Sequence, residues 1–96
     1  MRDASKFGDS CPQMYVKNLS TGLGLPGNED CLNLNVFTPQ KPGKDLPVMV
    51  WIHGGALQTD SAKDPLYVPI NLVKNGVIVV TLDYRLGSLG FLLARN

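Results

Sequence analysis

The sequence predicts an α/β fold on three observations. Residues 48–52 and 77–82 are unbroken apolar runs rich in β-branched side chains, and a segment able to form a helix lies between them. An alternating apolar and polar stretch precedes both runs. Strand, crossover helix and strand in that order form a βαβ unit, which places the two runs side by side and parallel in one sheet.

Each element follows from its residues. Residues 1–27 have no hydrophobic period, and Cys11-Pro12, Ser20-Thr21-Gly22 and Leu25-Pro26-Gly27 punctuate them, so they read as an irregular loop closed by Gly27-Asn28-Glu29-Asp30. Residues 31–38, Cys-Leu-Asn-Leu-Asn-Val-Phe-Thr, alternate with a period near two, the pattern of a half-buried antiparallel strand. Residues 39–47, rich in Pro, Gly and Lys, read as a hairpin-like connection. The run Val48-Met49-Val50-Trp51-Ile52 does not alternate, which implies burial on both faces. Residues 65–74 suit a helix that begins near Pro69, because an interior proline lacks the N–H the helix needs, and Asn75-Gly76 is a stop signal. Residues 77–82 form the second buried strand, and the glycine-punctuated stretch 83–92 is a turn leading into apolar residues.

Composition narrows the function. With 44% hydrophobic and 18% charged residues in 96, the chain has the balance of a packed globular segment and room for one core. Nine Lys and Arg against eight Asp and Glu give a net charge of +1 with no basic stripe, so nucleic acid is not the expected partner. No apolar stretch approaches the roughly 20 residues that span a bilayer. No metal or cofactor is called for. The two cysteines, Cys11 and Cys31, fit one disulfide or two buried thiols.

The chemistry concentrates at His53-Gly54-Gly55-Ala56, directly after a buried strand. Acyl transfer passes through a tetrahedral oxyanion, which is stabilised by two or three backbone N–H groups aimed at one point. Small consecutive residues let the backbone come close to a reacting carbon, and the carboxyl end of a parallel strand is where open α/β sheets place ligands. A pair of glycines also makes tight bends with no chemistry, so the turn alone does not decide the matter.

Four blocks in order carry a resemblance that does. Phe7-Gly8-Asp9-Ser10-Cys11-Pro12-Gln13, Glu29-Asp30-Cys31 with the strand running to Pro39, Trp51 to Ala56, and Tyr84-Arg85-Leu86-Gly87-Ser88-Leu89-Gly90-Phe91-Leu92 resemble successive blocks of the type-B carboxylesterases, over nearly the whole chain. The resemblance implies part of an α/β-hydrolase fold: its N-terminal strands and first crossover, within one incomplete domain cut at both ends. It implies that Gly55 and Ala56 are backbone donors of an oxyanion hole, that Gly54 shapes the turn and that His53 supports it. Ala56 stands where the commoner family form has a third glycine, and its methyl group leaves the N–H available. Cys11 and Cys31 match the pair that closes a loop at the rim of the active-site gorge. Glu29 and Arg85 resemble members of ion pairs whose partners lie outside this chain.

The resemblance also defines what is missing. A hydrolase of this fold needs a nucleophilic serine, usually in Gly-x-Ser-x-Gly, then an acid, then a histidine. No such pentapeptide occurs: Ser88 has the wrong glycine spacing, and His53 comes too early to be the triad base. None of the triad is therefore expected here, and the 96 residues alone should be inactive. The substrate class implied for the full-length enzyme is a small-molecule carboxylic ester, cleaved through an acyl-serine intermediate. A catalytically dead adhesion or binding relative is the alternative, since one fold serves both. The triplet Asn18-Leu19-Ser20 is a glycosylation signal, and with the disulfide and the resemblance it points to an extracellular or secretory location. As a standalone domain the two buried-type strands would leave open edges and uncovered apolar faces, which predicts poor folding in isolation.

Overall fold

A computed structural model of the chain describes residues 4–13 and 27–94; Asn18 lies outside them. The elements in order are β1 (Leu34–Phe37), β2 (Val48–Ile52), a 3-10 turn at Pro65–Tyr67, α1 (Ile70–Lys74), β3 (Ile78–Leu82) and α2 (Gly87–Phe91). They form one three-stranded sheet in the order β1-β3-β2.

The βαβ reading holds: β2 and β3 are parallel, with Val48 opposite Ile78 and Ile52 opposite Leu82. The helix between them starts after Pro69, which serves as its N-terminal flank and accepts from the Val73 N–H. It stops where Asn75-Gly76 predicts. Gly76 has φ 80°, its N–H donates to the Val73 carbonyl, and the next N–H, of Val77, reaches the Leu72 carbonyl. This paired closure needs a left-handed residue, which glycine takes at least cost.

Four expectations are overturned. The connection over residues 39–47 is not a hairpin, because β1 pairs antiparallel with β3, Leu34 opposite Leu82, and lies away from β2. The alternation in β1 is real, but its apolar face is the open one. Leu34 and Val36 are exposed, while Asn35 faces inward and donates from its amide to Thr81 Oγ1 at 3.0 Å. Neither face of β2 is buried: its five side chains are between 47% and 62% exposed, and Trp51, the least exposed, meets the Tyr67 ring with centroids 5.4 Å apart. Only β3, held between two strands, shows partial burial along its length, with Val79 and Thr81 enclosed. A short helix, α2, also occupies the stretch read as a turn, and Ser88 lies in it.

The residues that are buried cluster around the loops. Cys11 and Cys31 are joined in a disulfide and pack with Leu86, against which Tyr84 also rests. Among the described residues Ala62 and Val79 complete the buried apolar set, and an equal number of polar residues is buried: Gln13, His53, Ser61, Thr81 and Asp83. A core that is half polar requires its hydrogen bonds to be placed, and most of these lie at one end of the sheet.

Candidate active site

Parallel pairing in register brings the residues after β2 and those after β3 out at the same edge. His53 follows Ile52, and Asp83 and Tyr84 follow Leu82. The Tyr84 ring stacks on the His53 ring with centroids 4.4 Å apart, and its hydroxyl donates to the His53 carbonyl at 2.6 Å. The Asp83 carboxylate accepts from the Ala62 N–H at 2.8 Å, which ties the far end of the loop to β3.

His53 is buried, with Nδ1 2.8 Å from the Gly54 carbonyl oxygen. A carbonyl can only accept, so Nδ1 carries the proton. Nε2 lies 3.9 Å from the nearer Asp83 oxygen, too long for a hydrogen bond, and has no partner among the described residues.

This contact orients the turn. In a planar trans peptide the C=O and the following N–H point in opposite directions, so holding the Gly54 carbonyl turns the Gly55 N–H the other way. The same holds one unit later: the Gly55 carbonyl accepts from the N–H groups of Gln58 at 3.0 Å and Thr59 at 3.1 Å, and from Thr59 Oγ1 at 3.3 Å. That fixes the Ala56 N–H. Neither the Gly55 nor the Ala56 N–H donates to any described residue.

The backbone is left-handed through the turn, with φ 112° at Gly55, 53° at Ala56 and 60° at Leu57. For Ala56 and Leu57 that conformation costs about 1–2 kcal/mol each, so the surrounding bonds must hold it. The two glycines differ. A Cβ on Gly55 would sit 2.1 Å from the Thr59 carbonyl oxygen, whereas one on Gly54 would meet nothing within 4 Å. Among the described residues the steric need for glycine therefore falls on Gly55.

The loop beyond the turn is tied down by residues that sequence reading passed over. Asp60, with φ 88°, donates from its N–H to Gln13 Oε1 at 2.7 Å and receives Gln13 Nε2 on its carbonyl at 2.9 Å. Its carboxylate accepts from the Ser61 N–H at 2.7 Å and from the Tyr67 hydroxyl at 2.5 Å. The Tyr67 hydroxyl is pushed up to about 12, chiefly because ionising it would forfeit that bond, with desolvation and the Asp60 and Asp64 charges adding to the effect. Gln13 does stand in the Cys11-Pro12-Gln13 block, but nothing in that block signals a long-range contact with residue 60. Glu29 and Arg85, expected as ion-pair members, are both exposed.

Among the described residues no group of three or more His, Cys, Asp or Glu side chains could hold a metal ion, and no helix is long and apolar enough to cross a membrane.

A sequence model of the carboxylesterase family matches residues 1–96. The chain is 51% identical over 92 residues to the para-nitrobenzyl esterase of Bacillus subtilis, covering 94% of this chain and 19% of that protein. It is 45% identical over 97 residues to the phenmedipham hydrolase of Pseudarthrobacter oxydans, covering 96% of this chain and 20% of that one. A solved structure of PNB esterase superposes with a TM-score of 0.78 at 46% identity, over 93% of this chain and 18% of that chain. The chain thus spans about one fifth of the length of the relatives it matches. Its three-stranded sheet is part of the α/β-hydrolase fold of those esterases. The chain belongs to the carboxylesterase family.

Proposed function

We propose that this chain supplies the oxyanion-hole loop of a carboxylic-ester hydrolase, within a single hydrolase domain of which it forms the N-terminal part. The Gly55 and Ala56 N–H groups donate to the carbonyl oxygen as negative charge develops on it, when a serine outside these residues attacks the ester. The observation that carries this reading is the turn after β2: two successive N–H groups, unused by the described residues, on peptide planes held from behind by His53, Gln58 and Thr59. Preorganised donors of this kind cost no reorganisation when the charge appears. His53 acts as a positioning residue through the Gly54 carbonyl. The disulfide supports an oxidising compartment, extracellular or secretory, where Asn18 would be open to glycosylation.

The test is an esterase chimera in which this chain replaces the matching segment of the Bacillus subtilis para-nitrobenzyl esterase. The isolated chain should not hydrolyse a p-nitrophenyl ester, and the chimera should. In the chimera Gly55→Ala forces the turn off Thr59 and should lower kcat by about 100- to 1000-fold, the usual cost of an oxyanion donor. An unchanged kcat would remove the oxyanion role.

A further inference from the structure

We infer that Gln13 is a positioning residue for ester hydrolysis: its side-chain amide sets the oxyanion turn from outside by clamping the backbone of Asp60. The inference rests on the oxyanion reading and extends it to a residue remote in sequence that touches none of the proposed donors.

The contact is two-sided. Gln13 Oε1 accepts from the Asp60 N–H and Gln13 Nε2 donates to the Asp60 carbonyl, so one amide satisfies both backbone groups of one residue in the manner of a neighbouring strand. A third bond, from Nε2 to the Cys11 carbonyl at 3.1 Å, anchors the amide to the disulfide-bonded residue. The amide's orientation is unambiguous, because reversal would set Oε1 against two carbonyl oxygens and Nε2 against an N–H. Gln13 is only 8% exposed, so these bonds have little competition from water. A second tie runs beside it, from Ser10 Oγ to Ser61 Oγ at 3.0 Å.

Asp60 is the residue through which such a clamp can act. Its φ of 88° is one a non-glycine residue holds only under constraint, and it directly follows Thr59. Thr59 in turn gives two hydrogen bonds to the Gly55 carbonyl, and its own carbonyl fills the space a Cβ on Gly55 would need. The turn is thus gripped at both ends. On the strand side it is held by His53 and Tyr84, and on the far side by Gln13 through Asp60 and Thr59. Releasing the far grip frees Asp60 from its left-handed conformation and lets Thr59, Gly55 and the Ala56 N–H drift. Displacements well below the size of an atom at a reacting centre carry large rate penalties.

The test uses the esterase chimera, with kcat expressed per active site titrated by an organophosphate. Gln13→Met removes all three hydrogen bonds at similar volume. It should lower kcat per titrated site about 10- to 100-fold, leave KM nearly unchanged, and weaken a trifluoromethyl ketone, which mimics the oxyanion, by the same factor. Gln13→Glu is the second variant. Ionised, its carboxylate faces two carbonyls and cannot donate; protonated, it can donate to Asp60 again. Its kcat relative to wild type should therefore rise as the pH falls from about 8 toward about 5, approaching the titration of a glutamate. Gly55→Ala separates the two claims: if it leaves kcat intact, the oxyanion reading itself is wrong. If Gly55→Ala abolishes turnover while Gln13→Met and Gln13→Glu change only the number of titratable sites, Gln13 is merely structural and this inference is overturned.

Discussion

Ile52 is 62% exposed, and His53, the next residue, is 2% exposed. The boundary between them separates two regions held by different forces. The loop after β2 is ordered from within the chain, by the disulfide, the Tyr84 hydroxyl, the Asp83 carboxylate and the Gln13 amide, and it needs little apolar burial. Strand β2 has its ladder to β3 and, among the described residues, little over its faces beyond the Tyr67 ring against Trp51. Directional bonds can fix the shape of a short segment, but the free energy that keeps a domain folded comes mainly from buried apolar area. The loop carries geometry, and the strand awaits stabilisation.

The sharpest way to break this contrast is to compare the isolated chain with the esterase chimera. Each of the five β2 side chains forgoes much of the roughly 1.5–3 kcal/mol that full burial brings. The isolated chain should bind an apolar dye strongly and melt without a cooperative transition, and the chimera should do neither. A sharp calorimetric transition for the isolated chain would show that the loop's bonds suffice.

Next in size is the disulfide. Replacing Cys11 and Cys31 together by serine in the chimera should cost about 3 kcal/mol, mainly by freeing the unfolded chain, read as a lower denaturant midpoint. A loss close to zero would shift the ordering of the loop onto its hydrogen bonds alone. Tyr84→Phe keeps the ring on His53 and removes one hydrogen bond, so stability should fall by about 1 kcal/mol and kcat should fall with it. A stability change without a kcat change would detach Tyr84 from the turn.

The smallest effect depends on pH. The Tyr67 hydroxyl titrates above its ordinary value because of the bond to Asp60. Between about pH 10 and about 12 the unfolded chain has lost this proton and the folded chain keeps it. The contribution is thus complete below about pH 10 and lost as the pH rises toward about 12. Tyrosinate absorbance should show one late-titrating group that Tyr67→Phe removes, and denaturation should become less sensitive to pH in that window. Equal titration in both proteins would mean that the Asp60 contact does not persist in solution.

The same contrast explains what could be read from sequence. The parallel pair, the helix start near Pro69 and the Asn75-Gly76 stop were all legible, because each is set by local preferences. Burial of β2 was not. An unbroken apolar run records what the strand is built to contact, and the described residues leave each of its side chains about half exposed. The hairpin between β1 and β2 failed for a related reason: alternation in β1 marks a strand without naming its partner, and β3 proved to be that partner. At the site, His53-Gly54-Gly55-Ala56 stood out because small residues in a row are conspicuous. Gln13, Asp60, Tyr67 and Tyr84 did not, since ordinary polar residues gain their roles only from a fold that joins positions far apart in sequence.

The order β1-β3-β2 also sets a timetable. Leu34 pairs with Leu82, so β1 has no partner in this sheet until residues 79–82 have been made. At translation rates of about 5–20 residues per second, Leu34–Phe37 emerges seconds before β3 does. Cys31 emerges just ahead of β1 and can already find Cys11. The covalent loop can close first, holding the stretch before β1 in place while the strand waits. Closing a non-local contact early shortens the chain that must later be ordered, so the bond that anchors the Gln13 clamp is equally suited to guide nascent folding.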